Sequence, residues 1–251
     1  MSHHDESVEI AVDEEVIDGT LLTPDPPAAA APGVLFLHGW GGSQKQYLGR
    51  ARTVAALGCV CLVIDLRGHV RSEWRREVVS RQDNLCDCLA AYDRLIAAPG
   101  VDPSAVGVVG SSYGGYLAAI LTSRRAIRWL SLRAPALYED DGWSLPKRWL
   151  HHDTDLVAFR HRAVPPQENG ALRASAAFRG DVLLVESERD NVVPHPVIES
   201  YLSACVHARS LTYRVLEGAD HGLSEESWRS AYTAMLVSWL TEMTAGLRGP
   251  R

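Results

Sequence analysis

Six short apolar runs recur along the chain at 33–39 (GVLFLHG), 59–66 (CVCLVIDL), 105–111 (AVGVVGS), 129–134 (WLSLRA), 181–187 (DVLLVES) and 210–218 (SLTYRVLEG). Uninterrupted apolar runs of this length suit strands covered on both faces, as in a parallel sheet. The longer segments between them, at roughly 44–57, 81–98, 114–123, 196–205 and 225–244, carry apolar residues at helical spacing and suit right-handed crossovers. Pro99-Gly100 ends the second of these helices. The first stretch has a different period. SVEIAVDEEVIDGTLLTP, residues 7–24, alternates apolar and polar positions around Asp13-Glu14 and again at Asp18-Gly19, which predicts an antiparallel pair. His3 and His4 fall before it in a terminal tail, and DPPAAAAPG, residues 25–33, reads as a linker. The pattern predicts a doubly wound α/β fold: about eight mostly parallel strands, an N-terminal antiparallel hairpin, and one domain over residues 1–251.

One interval breaks the alternation. Residues 136–179 contain no strand pattern, several prolines and a cluster of aromatics. A loop of that length inside a compact domain is a functional excursion such as a lid, or else a surface insertion with small helices of its own.

Composition narrows the function classes. Hydrophobic residues make up 46% and charged residues 22% of the chain, an ordinary balance for a soluble globular protein. The formal net charge is -6 and the basic residues are dispersed among acidic ones, so nucleic acid is not an expected partner. No run of about 18 apolar residues is present, and the polar, acidic start MSHHDESVEI lacks the pattern of a secretory signal, so a cytoplasmic protein without membrane attachment is expected. Five cysteines, an odd number, do not make a disulfide framework. Cys59 and Cys61 alternate in a strand run as small hydrophobes, Cys86 and Cys88 lie two apart in a helical pattern, and neither spacing resembles a metal site.

The chemistry centres on VGVVGSSYGGYLAAI, residues 106–120. Gly110-Ser111-Ser112-Tyr113-Gly114 satisfies G-x-S-x-G between a strand and a helix, the context in which that weakly specific pattern acquires meaning. Only Ser112 has glycine at both minus two and plus two, so Ser112 is the candidate nucleophile and Ser111 its neighbour. At the start of a helix, free amides and the helix dipole favour developing negative charge, which makes the Tyr113 N–H half of a candidate oxyanion hole. The other half is the N–H of Trp40, in the glycine-rich His38-Gly39-Trp40-Gly41-Gly42 that ends an earlier strand. That run does not match a dinucleotide-binding G-x-G-x-x-G.

A serine hydroxyl needs a base, and the base needs a group that sets its tautomer. Asp190 follows one strand in VESERDNVVPH, and His221 follows the last strand in RVLEGADHGLS. Both therefore fall at the carboxyl edge of the sheet with Ser112. Among the other histidines, His38 belongs to the glycine-rich loop, His151, His152 and His161 to the insertion, and His195 precedes the last strand; His69 and His207 lack the required order. Glu186 and Glu188 are alternatives to Asp190, but they lie within or at the end of the strand.

Together LHGWGGS, IDLRGHVRS, GSSYGG, ERDNVVPH and GADHGLS carry a resemblance, taking in the chain from about Val8 to Leu240, to the α/β-hydrolases, most of all the compact esterases and acyl-peptide hydrolases related to dienelactone hydrolase and prolyl oligopeptidase. The resemblance implies Ser112 as nucleophile, His221 as general base and acid, Asp190 as orienting acid, and the Trp40 and Tyr113 amides as the oxyanion hole. It implies cleavage of carboxylic esters of small molecules through an acyl-enzyme, with neither metal nor cofactor. An aminopeptidase or amide hydrolase is the alternative, and a non-catalytic binding module on the same fold is a remote one. Trp143, Leu145, Trp149 and Phe159 of the insertion, with Val192 and Leu223, are expected to supply the apolar substrate surface, the alternative being that these aromatics anchor the insertion to the body. A homo-oligomer is compatible with the sequence. DLRGHVRS carries Val70 where the family commonly has glycine, so either a strained Val70 or a reshaped loop is expected; Asp65 and Arg67 are expected to fix that loop.

Overall fold

The N-terminal alternation folds as a long hairpin, with β1 (Ser2–Val12) pairing antiparallel to β2 (Glu15–Asp25) across a turn at Asp13-Glu14. The computed structural model describes residues 2–26, 30–151 and 155–246. His3 and His4 are not in a tail: they pair with Pro24 and Thr23 inside the hairpin. Asp18-Gly19 makes no turn either. Gly19 pairs with Ile64, and a Cβ there would stand 3.0 Å from the Val63 carbonyl oxygen, so the glycine permits close approach of two strands. The expected linker is shared between the end of β2 and the start of β3, and its residues 27–29 lie outside the described residues.

The remaining strands are β3 (Ala31–Leu37), β4 (Val60–Ile64), β5 (Val101–Ser111), β6 (Trp129–Arg133), β7 (Asp181–Ser187) and β8 (Ser210–Leu216). They form one sheet in the order β1-β2-β4-β3-β5-β6-β7-β8, parallel from β4 onward. Strand alternation divides the core in two. Leu35, Leu37, Leu62, Val108, Leu132 and Leu184 face one apolar cluster. Val34, Phe36, Cys61, Val109, Leu183 and Val185 face the other. The first cluster is covered by α2 (Arg81–Ile96), α3 (Tyr113–Leu121) and α6 (His195–Ala204), the second by α1 (Lys45–Ala55) and α7 (Glu226–Ala245). Helix α3 is buried at all nine positions, which accounts for a sequence apolar on every side.

The excursion between β6 and β7 holds two short 3-10 turns, Lys147–His151 and Pro166–Glu168, and the helices α4 (Leu156–Arg160) and α5 (Gly170–Ala177). Its apolar residues Leu137, Tyr138, Phe159, Val164 and Leu172 all join the first cluster. The insertion thus packs entirely toward one face of the sheet. Buried Arg81 clasps its beginning by donating to the carbonyls of Glu139 (2.5 Å) and Asp141. Cys61, Cys86, Cys88 and Cys205 are free thiols. No helix among the described residues is long and apolar enough to cross a membrane.

Candidate active site

The turn from β5 to α3 bends at Ser112, whose φ of 51° and ψ of -117° lie in a region that residues with a side chain rarely adopt. The flanking glycines make the bend possible. A Cβ on Gly110 would stand 2.4 Å from the Gly114 carbonyl oxygen, and one on Gly114 would stand 2.3 Å from the Leu37 carbonyl oxygen. The Ser112 amide donates to the Arg133 carbonyl (2.9 Å), tying the bend to the end of the neighbouring strand.

Two strand-end loops bring the other members. Beyond β7, Asp190 Oδ1 accepts the amides of Val192 (2.9 Å) and Val193 (2.8 Å), which fixes the carboxylate by its own loop. Its other oxygen meets His221 Nδ1 at 2.6 Å, and His221 Nε2 lies 3.0 Å from Ser112 Oγ. A carboxylate can only accept, so Nδ1 carries the imidazole proton and Nε2 is left to accept from the serine. The Asp190 side chain is 3% exposed and that of His221 19%, so the dyad is sheltered while Ser112 is half-buried and reachable. Glu186 and Glu188 are engaged elsewhere: Glu186 pairs with His195 (2.8 Å) and Tyr213, and Glu188 accepts the Gly218 amide (2.6 Å).

Trp40 lines the same cavity as Ser112, and Tyr113 follows Ser112 at the first position of α3. Among the described residues neither amide has a hydrogen-bond acceptor within the protein, and their rings meet edge to face with centroids 5.4 Å apart. The loop carrying Trp40 is held by two histidines. His38 Nε2 accepts the Leu66 amide (3.0 Å) while its Nδ1–H donates to the Gly39 carbonyl (2.8 Å). His69 Nε2 accepts the Gly41 amide (3.0 Å). Burial lowers the pKa of each to about 4, and the two rings, 4.8 Å apart, further disfavour charge on His69. Asp65 does fix the DLRGHVRS loop, accepting the backbone and side-chain N–H of Gln44 at 2.7 Å each. Arg67 does likewise through buried Asp87 (2.5 Å), Asp13 and Glu15.

A cavity of about 420 Å³ opens beside Ser112, walled by Gly39, Trp40, Gly41, Gly42, Tyr47, His221, Leu223 and Tyr232, together with three arginines. Of the six residues expected to form the substrate surface, only Leu223 lines it. Phe159 is 6% exposed and packs in the first apolar cluster. Trp143 rests on Tyr116 and the Arg81 guanidinium, at a separate depression. Leu145, Trp149 and Val192 are exposed on the surface. The reason is topological: the insertion packs on the face covered by α2, α3 and α6, whereas the cavity opens on the face of α1 and α7. The anchoring alternative therefore describes Trp143 and Phe159.

Several residues at the site gave no local signal in the sequence. Arg50 of α1, Arg133 at the end of β6 and Arg229 of α7 line the cavity from three distant segments. Lys147, from the insertion, is 4% exposed and places its ammonium over the Trp40 ring (4.1 Å) and the Tyr113 and Tyr138 rings (5.1 Å each). Burial lowers its pKa, partly offset by Tyr138.

Comparison with known proteins places the fold. The chain shares its fold with Est1E from Butyrivibrio proteoclasticus, solved with ferulic acid bound (18% identity, 95% of this chain and 99% of that one, TM-score 0.72). It is similar to the dienelactone hydrolase of Anabaena variabilis (19% identity, 96% and 99% coverage, TM-score 0.67). It also matches 41% of the longer acylaminoacyl peptidase of Pyrococcus horikoshii (16% identity, 95% of this chain, TM-score 0.71). No curated protein matches the sequence. The family model described as "Alpha/beta hydrolase family" matches residues 34–234, from β3 into α7. The chain belongs to the alpha/beta hydrolase family.

Proposed function

We propose that this protein is a serine hydrolase that cleaves carboxylic esters of small molecules through an acyl-enzyme. One observation carries the reading: Ser112, His221 and Asp190, from three separate strand ends, stand in a hydrogen-bonded line of 3.0 and 2.6 Å. In the first step His221 Nε2 takes the Ser112 proton as Oγ attacks the ester carbonyl, and Asp190 stabilises the imidazolium that forms. The oxyanion is received by the amides of Trp40 and Tyr113, the latter at the positive end of α3. His221 then protonates the departing alcohol, and a water activated by the same Nε2 releases the acyl group. A cavity of about 420 Å³ matches a small ligand. The similar fold of a protein named as a dienelactone hydrolase, a name for opening an internal ester, supports the ester reading.

The test is turnover of p-nitrophenyl acetate and covalent labelling by a fluorophosphonate. Wild type is expected to hydrolyse the ester and to be labelled at Ser112; Ser112→Ala is expected to lose both while keeping its circular dichroism spectrum. Undiminished turnover in folded Ser112→Ala would overturn the assignment. Folded wild type that resists the fluorophosphonate would point to a binding module. Faster cleavage of aminoacyl p-nitroanilides than of esters would replace the ester reading by the peptidase one.

A further inference from the structure

The cavity beside Ser112 is lined by Arg50, Arg133 and Arg229 and by no aspartate or glutamate, in a chain whose net charge is -6. Among the described residues none of the three meets a carboxylate, whereas Arg52, Arg67, Arg125, Arg173 and Arg209 each do. Arg133 is the most constrained. It is 7% exposed, and its donors are only partly used: Nε reaches Ser111 Oγ (3.3 Å), and Nη1 reaches the His221 carbonyl (2.7 Å) and Ser187 Oγ (3.4 Å). Among the described residues Nη2 has no acceptor. A guanidinium kept this far from water without a counter-charge is costly, and its planar fork matches a carboxylate.

The other two arginines are aimed by neighbours that leave part of each fork open. Arg50 donates to Thr233 Oγ1 (3.0 Å) and the Gln46 carbonyl (3.3 Å) and lies over the Tyr232 ring at 4.8 Å. Arg229 donates through Nη1 to the carbonyls of Leu223 (2.9 Å) and Ser224 (2.6 Å), on the loop that carries His221. Three cationic groups from β6, α1 and α7 thus converge on the space next to the reacting serine, and low-dielectric walls strengthen their field there.

We infer that the substrate of this site is an ester bearing a carboxylate, held by Arg133 with Arg50 and Arg229 while Ser112 attacks its ester carbonyl. The inference rests on the serine-hydrolase reading and adds the substrate class to it. No step of the chemistry changes, because the carboxylate stays unreacted and serves only to bind and orient.

The experiment compares kcat/KM for matched esters: p-nitrophenyl acetate against mono-p-nitrophenyl succinate, which puts the carboxylate on the acyl side, and phenyl acetate against 4-acetoxybenzoate, which puts it on the leaving group. At least one charged ester is expected to be preferred by roughly tenfold or more, less so in high salt. Arg229→Gln and Arg50→Gln are each expected to reduce that ratio several-fold, and Arg133→Lys to retain more of it than Arg133→Gln. If Arg133 served only to hold the His221 carbonyl, its replacement would slow charged and neutral esters alike and leave the ratio unmoved. Hydrolysis of the neutral esters with no preference for either charged one would overturn this inference and leave the hydrolase reading standing. Should no ester be turned over, calorimetric titration of folded wild type with succinate decides: saturable binding lost in Arg229→Gln would support the anion site without the chemistry, and no binding would overturn it.

Discussion

The Gly41 amide donates to His69 Nε2 at 3.0 Å, so the loop presenting the Trp40 amide depends on a neutral imidazole. A proton on Nε2 would turn that acceptor into a donor facing an N–H. His38 stands in the same position toward the Leu66 amide. Both rings have folded-state pKa values near 4, below the ordinary value of 6.5, chiefly through burial. Between those values the unfolded chain binds more protons than the folded one, so stability rises with pH across that window and is lost as the solution is acidified from about 6.5 toward 4. Each histidine contributes on the order of a few kcal/mol to this loss. Urea midpoints measured from pH 7 to pH 4.5 are expected to fall, and His69→Gln is expected to flatten the decline.

Asp190 holds the His221 tautomer through a 2.6 Å contact while its other oxygen is anchored by two amides. Asp190→Asn keeps the shape and removes the demand for a proton on Nδ1. We expect kcat for p-nitrophenyl acetate to fall by roughly 10³–10⁴-fold with little change in thermal stability. A fall of less than tenfold in a folded variant would mean that another group orients His221.

Phe159 and Leu223, both expected at the substrate surface, lie on different faces of the sheet. Phe159 is a core residue on the opposite face of the sheet, and Leu223 walls the cavity next to His221. Phe159→Ala is expected to cost about 3–5 kcal/mol of stability and leave KM for small esters unchanged. Leu223→Ala is expected to change kcat/KM. Denaturant melts and steady-state kinetics on the two variants separate these effects, and a raised KM in Phe159→Ala would restore the insertion to the substrate surface.

Val70 has a φ of 47° and is 47% exposed, so a β-branched residue stands in a left-handed conformation without much packing in return. The loop keeps the course that glycine would permit and the valine carries the strain. Relief of about 1–3 kcal/mol of strain outweighs the backbone entropy of about 0.5–1 kcal/mol that glycine forfeits. Val70→Gly is therefore expected to raise the melting temperature by roughly 2–4 °C, as read by calorimetry.

The strand and helix pattern was largely legible because each central strand is covered on both faces and each flanking helix other than α3 on one, which forces apolar runs and apolar stripes into the sequence. DVLLVES at 181–187 coincides with β7, and the helix expected at 81–98 is α2, Arg81–Ile96. Asp18-Gly19 was misleading because the demand for glycine came from β4 across the sheet, not from a local turn. The bend at Ser112 was legible for the opposite reason: Gly110 and Gly114 answer to steric limits within a few residues of Ser112 and to the adjoining strand end.

The sequence by itself determined the alternation of strands and helices, the bend at Ser112 and the order in which an acid and a histidine reach the strand ends. These follow from short-range sterics and from which faces must be dry. Only the tertiary structure decided which side of the sheet the insertion covers, and with it the identity of the cavity wall. Packing of the insertion against α2, α3 and α6 leaves the space between α1, α7 and Ser112 to Arg50, Arg133, Arg229 and Leu223. Arg50 and Arg229, 179 positions apart, both line it, and a single sequence carries no periodicity that could announce it.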